Sequence, residues 1–201
     1  MNDFSNTPIA ELAGIVAEHL QQQGIQVVLV GGLAVEIYTE NLYLTHDIDM
    51  VNTSYQKPTQ MNEAMAQLGF KKQGRVYEHA TTNITVEFPS APISVGDELI
   101  SKTGTVIVAG REIPVLLVSD VVKDRLAAYM HWKDNQSLVQ AVAIMQKHQL
   151  TCDAFKAFCL HEGTSTQYDF FVRFYQAASN CKQTTMAALQ QTLANMLLAN
   201  I

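Results

Sequence analysis

The chain has 201 residues, of which 48% are hydrophobic and 16% are charged. It contains 13 lysines and arginines and 19 acidic residues, which gives a formal net charge of −6. A chain of this length can bury a substantial core, so one α/β domain with a helical extension accounts for it. The acidic balance argues against broad binding of duplex nucleic acid, which requires a basic surface. No apolar run reaches membrane-spanning length and the N-terminus lacks the features of a signal peptide, so the expected location is the cytoplasm.

The first predicted elements are a helix from Thr7-Pro8 to about Gln23, a strand over residues 25–30 and a short helix over residues 33–38. Gly31-Gly32 lies between the strand and the short helix. Glycine allows a close approach of the backbone to a ligand, and the amides and dipole at the start of a helix favour an anion. We therefore expect Gly31 and Gly32 to bind phosphate. The alternative is that the turn needs glycine for steric reasons alone.

The next strand carries two aspartates, Asp47 and Asp49, at alternate positions of an apolar run. Side chains two residues apart in a strand point to the same face, so both carboxylates emerge together. Two like charges side by side are costly to ionise unless a cation neutralises them. Carboxylate oxygens suit Mg²⁺ or Mn²⁺, and we expect one of these ions here. A calcium loop is excluded, because no glycine and glutamate follow Asp49 at the spacing of such a loop.

The order Val30-Gly31-Gly32, a short helix and then Thr45-His46-Asp47-Ile48-Asp49 resembles the nucleotidyltransferase superfamily, which shares the palm fold of DNA polymerase beta. The resemblance is strong over residues 27–51, continues more weakly to about residue 145, and points to an uncharacterised prokaryotic branch related to toxin-type nucleotidyltransferases. It implies a small mixed β-sheet core with helices packed on it, followed by a C-terminal helical bundle. It also implies transfer of a nucleoside monophosphate from an NTP to a hydroxyl, with Asp47 and Asp49 as ligands of Mg²⁺ or Mn²⁺.

Members of this superfamily carry a third carboxylate on a later strand. Residues 83–88 alternate polar and apolar side chains, so Glu87 shares a face with Thr85. The resemblance therefore implies Glu87 as the third acid, a ligand of the metal that activates the acceptor hydroxyl. The alternative is a strand residue that simply faces solvent. Asp97 and Glu98 are weaker candidates because they follow Gly96 in a predicted loop.

Many relatives have an arginine where this chain has Tyr43, so a cation for the phosphates must come from elsewhere. A predicted helix over residues 119–131, with Ser119 as its N-cap, carries Lys123. In relatives of the toxin type, a lysine on the corresponding helix approaches the nucleotide phosphates, and the resemblance implies this role for Lys123. The alternative is that Lys123 and Arg125 pair with neighbouring aspartates or face solvent.

Two domains are expected: a nucleotidyltransferase-like core over residues 1–117, and a helical region packed on it over residues 118–201. Asp134 is predicted to cap a helix over residues 135–148. The helices that follow are predicted over residues 151–162, 165–178 and 183–199. We interpret the cysteines as free thiols in helices, because they have no paired metal spacing: Cys152, Cys159 and Cys181.

Three functions remain open. The first is a nucleotidyltransferase that acts on a hydroxyl of a nucleic acid, a protein or a small molecule. For this function the resemblance suggests a toxin with a cognate antitoxin, or a phage-defence component, with a tRNA 3′ end as one acceptor. The second is an inactive nucleotide- or protein-binding module, and the third is a metal-dependent phosphohydrolase. Lys71, Lys72 and Arg75 form a local basic cluster that either meets a tRNA end or lies in a solvated loop.

Overall fold

The computed structural model describes residues 2–180 and 185–199. The chain forms two compact units, and each is composed of three segments. The first unit comprises Met1–Ile37, Leu44–Ser94 and Leu99–Leu117, and the second comprises Tyr38–Tyr43, Val95–Glu98 and Val118–Ile201. The first unit is built on a β-sheet and the second mainly on helices.

The sheet of the first unit has seven strands with mixed directions, which confirms the mixed sheet that the resemblance implied. In chain order, the strands of the protein are Val27–Val30 (β1), Asp47–Asn52 (β2), Lys71–Gln73 (β3), Val76–His79 (β4), Thr82–Glu87 (β5), Ser94–Val95 (β6), Glu98–Leu99 (β7), Thr103–Val108 (β8) and Arg111–Leu116 (β9). The spatial order in the large sheet is β3-β4-β5-β2-β1-β9-β8, and β6 and β7 pair separately. Strand β1 is antiparallel to β2 and parallel to β9, and β2 is parallel to β5. Three consecutive residues of β1 are buried, which is why this central strand is a continuous apolar run.

Three helices belong largely to the first unit: Ile9–Gln22 (α1), Gly31–Tyr38 (α2) and Pro58–Leu68 (α3). Helix α1 packs against β8, β9 and α3. Its inward face carries Leu12, Val16 and Leu20, all fully buried, as their helical spacing predicts. Helix α2 begins at Gly31, so the glycine pair forms the first helical residues rather than a separate turn.

The second unit contains a 3₁₀ turn at Cys152–Phe155 and the helices Val118–Trp132 (α4), Asn135–Lys147 (α5), Lys156–Glu162 (α6), Ser165–Asn180 (α7) and Met186–Ala199 (α8). Helix α4 packs on α5 and α6, and α5 also packs on α7 and α8. The Asp134 carboxylate accepts a hydrogen bond from the Gln136 amide at 3.0 Å, which confirms the predicted cap of α5. None of the helices in the described ranges combines the length and apolarity that crossing a bilayer requires.

Several predicted boundaries differ from the structure. Helix α4 begins at Val118, so Ser119 lies inside its first turn and is not the N-cap. The predicted helix over 151–162 starts as a 3₁₀ turn, and residues 183 and 184 of the last predicted helix lie outside the described residues. Lys71 and Lys72 lie in the edge strand β3 rather than in a loop. Strands β3, β6 and β7 are two or three residues long, too short to leave a periodic pattern.

Cys152 and Cys159 are buried free thiols, as the sequence predicted. Burial raises the pKa of the Cys152 thiol to about 11 and that of the Cys159 thiol to about 12. At neutral pH these side chains therefore remain protonated and behave as small apolar groups. Cys181 lies outside the described residues.

A matched pair of isoleucines tests the assignment of the core. Ile48 in β2 is fully buried, whereas Ile107 in β8 is 72% exposed. We expect Ile48→Ala to lower the free energy of unfolding by about 2–5 kcal/mol, since it leaves a cavity in the core. Ile107→Ala should lower it by less than about 1 kcal/mol, which reflects strand propensity alone. Urea denaturation measures both values, and equal losses would contradict the burial of this face of β2.

Candidate active site

The pairing of β2 with β5 brings the three predicted acids onto one face of the sheet. In this parallel pair Asp49 lies opposite Glu87 and Asp47 lies opposite Thr85. Neighbouring strands are about 4.8 Å apart, and alternation places all four side chains on the same face. Ile48 and Met50 turn to the other face and are fully buried. Asp47 is exposed, whereas Asp49 and Glu87 are half-buried.

Hydrogen bonds on both sides of Asp47 fix its position. The Thr85 hydroxyl donates to Asp47 Oδ1 at 2.6 Å. The Asp47 amide donates to the Thr45 hydroxyl oxygen at 3.4 Å. The carboxylate is therefore held from the neighbouring strand, and the backbone from the residues that precede β2.

Glu36 is a buried acid that the sequence analysis did not single out. Its side chain projects from α2 with only 5% exposure, and Oε2 accepts a hydrogen bond from the Thr45 amide at 2.9 Å. This contact ties the segment before Asp47 to the helix that starts at the glycine pair. A carboxylate within the apolar run 33–37 is the signal that could have revealed it, because a buried carboxylate requires donors.

Gly31 is constrained by its backbone and by the Asp49 side chain. Its φ is +66°, in the left-handed region that favours glycine. A Cβ atom at this position would lie 2.3 Å from Asp49 Oδ2. Strand pairing explains this closeness, because Val30 lies opposite Asp49 in the antiparallel pair of β1 and β2. Gly31 and Gly32 form the first turn of α2, where backbone amides lack helical partners and the helix dipole is positive.

The Glu87 carboxylate makes an ion pair that was not predicted. Arg75 donates to Glu87 Oε1 from Nη2 at 2.8 Å and from Nε at 3.1 Å. The Arg75 side chain is 87% exposed, whereas that of Glu87 is 24% exposed. The guanidinium thus neutralises one of the three acids from the solvent side.

In the second unit, Lys123 of α4 pairs with Glu98 of β7 and lies 5.3 Å from the centroid of the Phe158 ring. Burial raises the pKa of the Asp120 carboxyl, while Lys123 opposes this rise and Glu98 adds to it. Arg125 pairs with the adjacent Asp124. The role of Lys123 toward nucleotide phosphates stays a prediction.

The donor set of Asp47, Asp49 and Glu87 fits Mg²⁺ or Mn²⁺, because all three offer hard carboxylate oxygens. Among residues 2–180 and 185–199, however, the group of three whose ligand atoms all lie within 4.8 Å of one another is Asp97, His161 and Glu162. The three acids of the sheet are spaced more widely than this. Ligand oxygens on one Mg²⁺ lie at most about 4.2 Å apart, so joint binding of one ion by all three acids requires their side chains to turn towards one another.

Glu162 in the second unit already has protein partners. Its side chain is 2% exposed, Oε1 accepts from the Asp97 amide at 3.0 Å, and Oε2 lies 2.7 Å from His131 Nε2. Burial raises the pKa of the Glu162 carboxyl, but hydrogen bonds from Asp97 and His131 outweigh it and hold the pKa below its usual range. Glu162 therefore stabilises the turn between β6 and β7 by accepting the hydrogen bond from the Asp97 amide.

The solved structures that are similar to this chain include two nucleotidyltransferase-fold proteins with TM-scores above 0.5. The crystal structure of ANT(2″)-Ia in complex with adenylyl-2″-tobramycin has a TM-score of 0.52 and 11% identity, covering 75% of this chain and 94% of that chain. The crystal structure of an antigenic nucleotidyltransferase-like protein from Paracoccidioides brasiliensis has a TM-score of 0.53 and 10% identity, covering 90% of this chain and 91% of that chain.

No protein-family model and no curated protein sequence matches the chain. At 10–11% identity, the likeness to the two structures concerns the fold. It confirms the mixed α/β architecture that the sequence resemblance implied. The chain therefore has the fold of the nucleotidyltransferases.

Proposed function

We propose that this protein is a metal-dependent nucleotidyltransferase that moves a nucleoside monophosphate from an NTP to a hydroxyl acceptor. The observation that carries the proposal is the register of β2 and β5, which sets Asp49 opposite Glu87 and Asp47 opposite Thr85. The nucleotidyltransferase fold of the neighbours supports it at the level of architecture. Three carboxylates on one face of a sheet repel one another, and a bound divalent cation lowers that cost.

Asp47, Asp49 and Glu87 would hold the divalent cation. When bound, Mg²⁺ or Mn²⁺ supplies Lewis-acid stabilisation of the charge on the triphosphate. The first-turn amides at Gly31 and Gly32 bind phosphate oxygens, because they have no helical acceptors and lie at the positive end of α2.

The transfer forms one bond and breaks another. The acceptor oxygen bonds to the α-phosphorus, the bond from that phosphorus to its bridging oxygen breaks, and pyrophosphate leaves with the electron pair. The Glu87 carboxylate accepts the proton of the acceptor hydroxyl. Lys123 is proposed as a further cation for the phosphates, in exchange for its pairing with Glu98. Positioning and charge stabilisation supply most of the rate in such a reaction.

The proposal also concerns the kind of molecule that supplies the acceptor hydroxyl. A hydroxyl of a tRNA or a protein is the expectation from the toxin-type resemblance, which also suggests a cytoplasmic toxin with a cognate antitoxin or a phage-defence component. ANT(2″)-Ia was solved with adenylyl-2″-tobramycin, and this supports the third class of acceptor, a small-molecule hydroxyl. The alternative function, an inactive nucleotide-binding module, is favoured by the ion pair that occupies Glu87 Oε1.

Removal of the acids tests the reaction. Purified protein with Mg²⁺ and labelled NTPs should release pyrophosphate and label a component of a cell extract. Asp49→Asn and Glu87→Gln should each lower this rate by about 100-fold or more, because each removes a group that stabilises transition-state charge. Glu78→Gln is the matched control for Glu87→Gln, since Glu78 lies on the adjacent strand β4 and is exposed; its rate should be unchanged.

The products separate the three functions. Pyrophosphate with a labelled RNA, protein or small molecule supports transfer and identifies the acceptor class. Thermal stabilisation by Mg²⁺ and NTP without any product supports the binding module. Release of phosphate without a labelled acceptor supports hydrolysis, and either of the last two results contradicts the proposal.

The glycine pair provides a second test. In Gly31→Ala the new Cβ atom clashes with Asp49 Oδ2, and the residue must adopt a φ of +66°. In Gly110→Ala the residue must adopt a φ of +79°, but no atom lies within 4 Å of the new Cβ. Both variants should lose about 1–2 kcal/mol of unfolding free energy from left-handed strain. Only Gly31→Ala should also lose transfer activity, since Asp49 must move. Normal transfer by Gly31→Ala in a folded protein would contradict the proposed contact between this turn and the metal-binding acids.

A further inference from the structure

The first unit contains a cavity of about 360 Å³ at the edge of the sheet, a size typical of small-ligand sites. The cavity is lined by the connection from β2 to α3, the edge strand β3, its neighbour β4 and the segment after β5. Five of its lining residues are charged or aromatic: Tyr55, Lys72, Arg75, Tyr77 and Phe88.

The lining is positively charged. Lys72 and Arg75 both border the cavity, and none of the lining residues that the structure describes is an aspartate or glutamate. This contrasts with the chain as a whole, whose net charge is −6. A cavity with two cations and no carboxylate selects an anionic ligand.

The aromatic side chains provide flat surfaces beside these cations. Tyr77 packs edge-on against Phe88 with 5.4 Å between ring centroids, and its hydroxyl donates to Asn62 of α3. Lys72 Nζ lies 5.6 Å from the Tyr77 centroid. Tyr55 is 71% exposed and has a φ of +54°, an uncommon backbone conformation for a bulky residue. Tyr77 itself is 3% exposed, so Tyr55 and the half-buried Phe88 provide the accessible ring surface. Accessible aromatic rings beside cations are the elements that bind a base and its phosphate.

Arg75 connects the cavity to the acids of the sheet. Arg75 lines the cavity, and its guanidinium donates two hydrogen bonds to Glu87 Oε1. An anion bound in the cavity therefore competes with Glu87 for the same guanidinium group. Because the Arg75 side chain is 87% exposed, little packing holds it in either position.

We propose that this cavity binds a nucleoside phosphate, with the base against Tyr55 and Phe88 and the phosphate on Lys72 and Arg75. Binding draws Arg75 away from Glu87 and leaves that carboxylate for the metal. The coupling to Glu87 rests on the proposed function, whereas the binding itself does not.

Calorimetry on the full chain in metal-free buffer tests the binding with the four nucleoside 5′-monophosphates, adenosine and inorganic phosphate as probes. At least one monophosphate should bind more than tenfold more tightly than adenosine or inorganic phosphate. Lys72→Ala should weaken its binding about tenfold or more, because a charge-assisted hydrogen bond to phosphate is lost. Lys71→Ala is the matched control: Lys71 lies on the same strand but not among the residues lining the cavity, and its affinity should be unchanged.

Equal effects of the two lysine variants, or no preference for a monophosphate over inorganic phosphate, would overturn the site. The double variant Asp47→Asn with Asp49→Asn should keep full monophosphate affinity, and a loss there would place the nucleotide at the acids instead. The two proposals can therefore fail separately: a wild-type protein that binds the monophosphate but transfers no nucleotide contradicts only the proposed transferase function.

A single-stranded tetraribonucleotide that binds more tightly than every monophosphate would identify an RNA end as the source of the ligand. Equal or weaker binding would identify the free nucleotide.

The coupling has its own test. Glu87→Gln should strengthen monophosphate binding about two- to fivefold, because Arg75 no longer gives up an exposed ion pair to reach the ligand. Glu78→Gln removes the same charge from the neighbouring strand β4 and is the control. An equal gain in both variants would reflect charge alone and would overturn the exchange of Arg75.

Discussion

The parallel register between β2 and β5 is the constraint on which the rest of the candidate site depends. Ile48, Met50 and Val86 are all fully buried, and a slip of one residue would turn apolar side chains to solvent and acids into the core. Burial of the apolar side chains therefore fixes the position of the carboxylates, although the carboxylates themselves repel one another. The cost of three acids on one face is then reduced locally, by Thr85 at Asp47 and by Arg75 at Glu87.

The ends of these strands are supported by contacts of another kind. Glu36 accepts from the Thr45 amide and so joins the segment before Asp47 to helix α2. Gly31 lies so close to Asp49 that no Cβ fits between them. The start of α2 and the acids are consequently one structural arrangement, in which the positive end of the helix lies beside a carboxylate. In the proposed reaction this arrangement is what brings phosphate and metal ligands together.

The sequence predicted the features that depend on neighbours along the chain. The alternation of side chains along each strand predicted that Asp47 shares a face with Asp49 and that Glu87 shares a face with Thr85. Only the pairing of the two strands in register was needed to bring these residues together. Contacts between distant residues were beyond such reasoning. The ion pair of Arg75 with Glu87 depends on the turn between two short strands, and neither β3 nor the ribbon of β6 and β7 is long enough to show periodicity. Ser119 failed as a cap because the helix starts one residue earlier, a shift that local propensity does not resolve.

Electron paramagnetic resonance of Mn²⁺ binding is the most direct test of the claim that the acids on β2 and β5 form a cation site. The wild-type protein should bind Mn²⁺ more tightly with a non-hydrolysable NTP than without it, and Asp47→Asn with Asp49→Asn should abolish this gain. Asp97→Asn, which alters the compact group in the second unit, should leave Mn²⁺ binding unchanged. If Asp97→Asn abolishes binding while the double variant binds normally, the cation belongs to the second unit and the account is wrong.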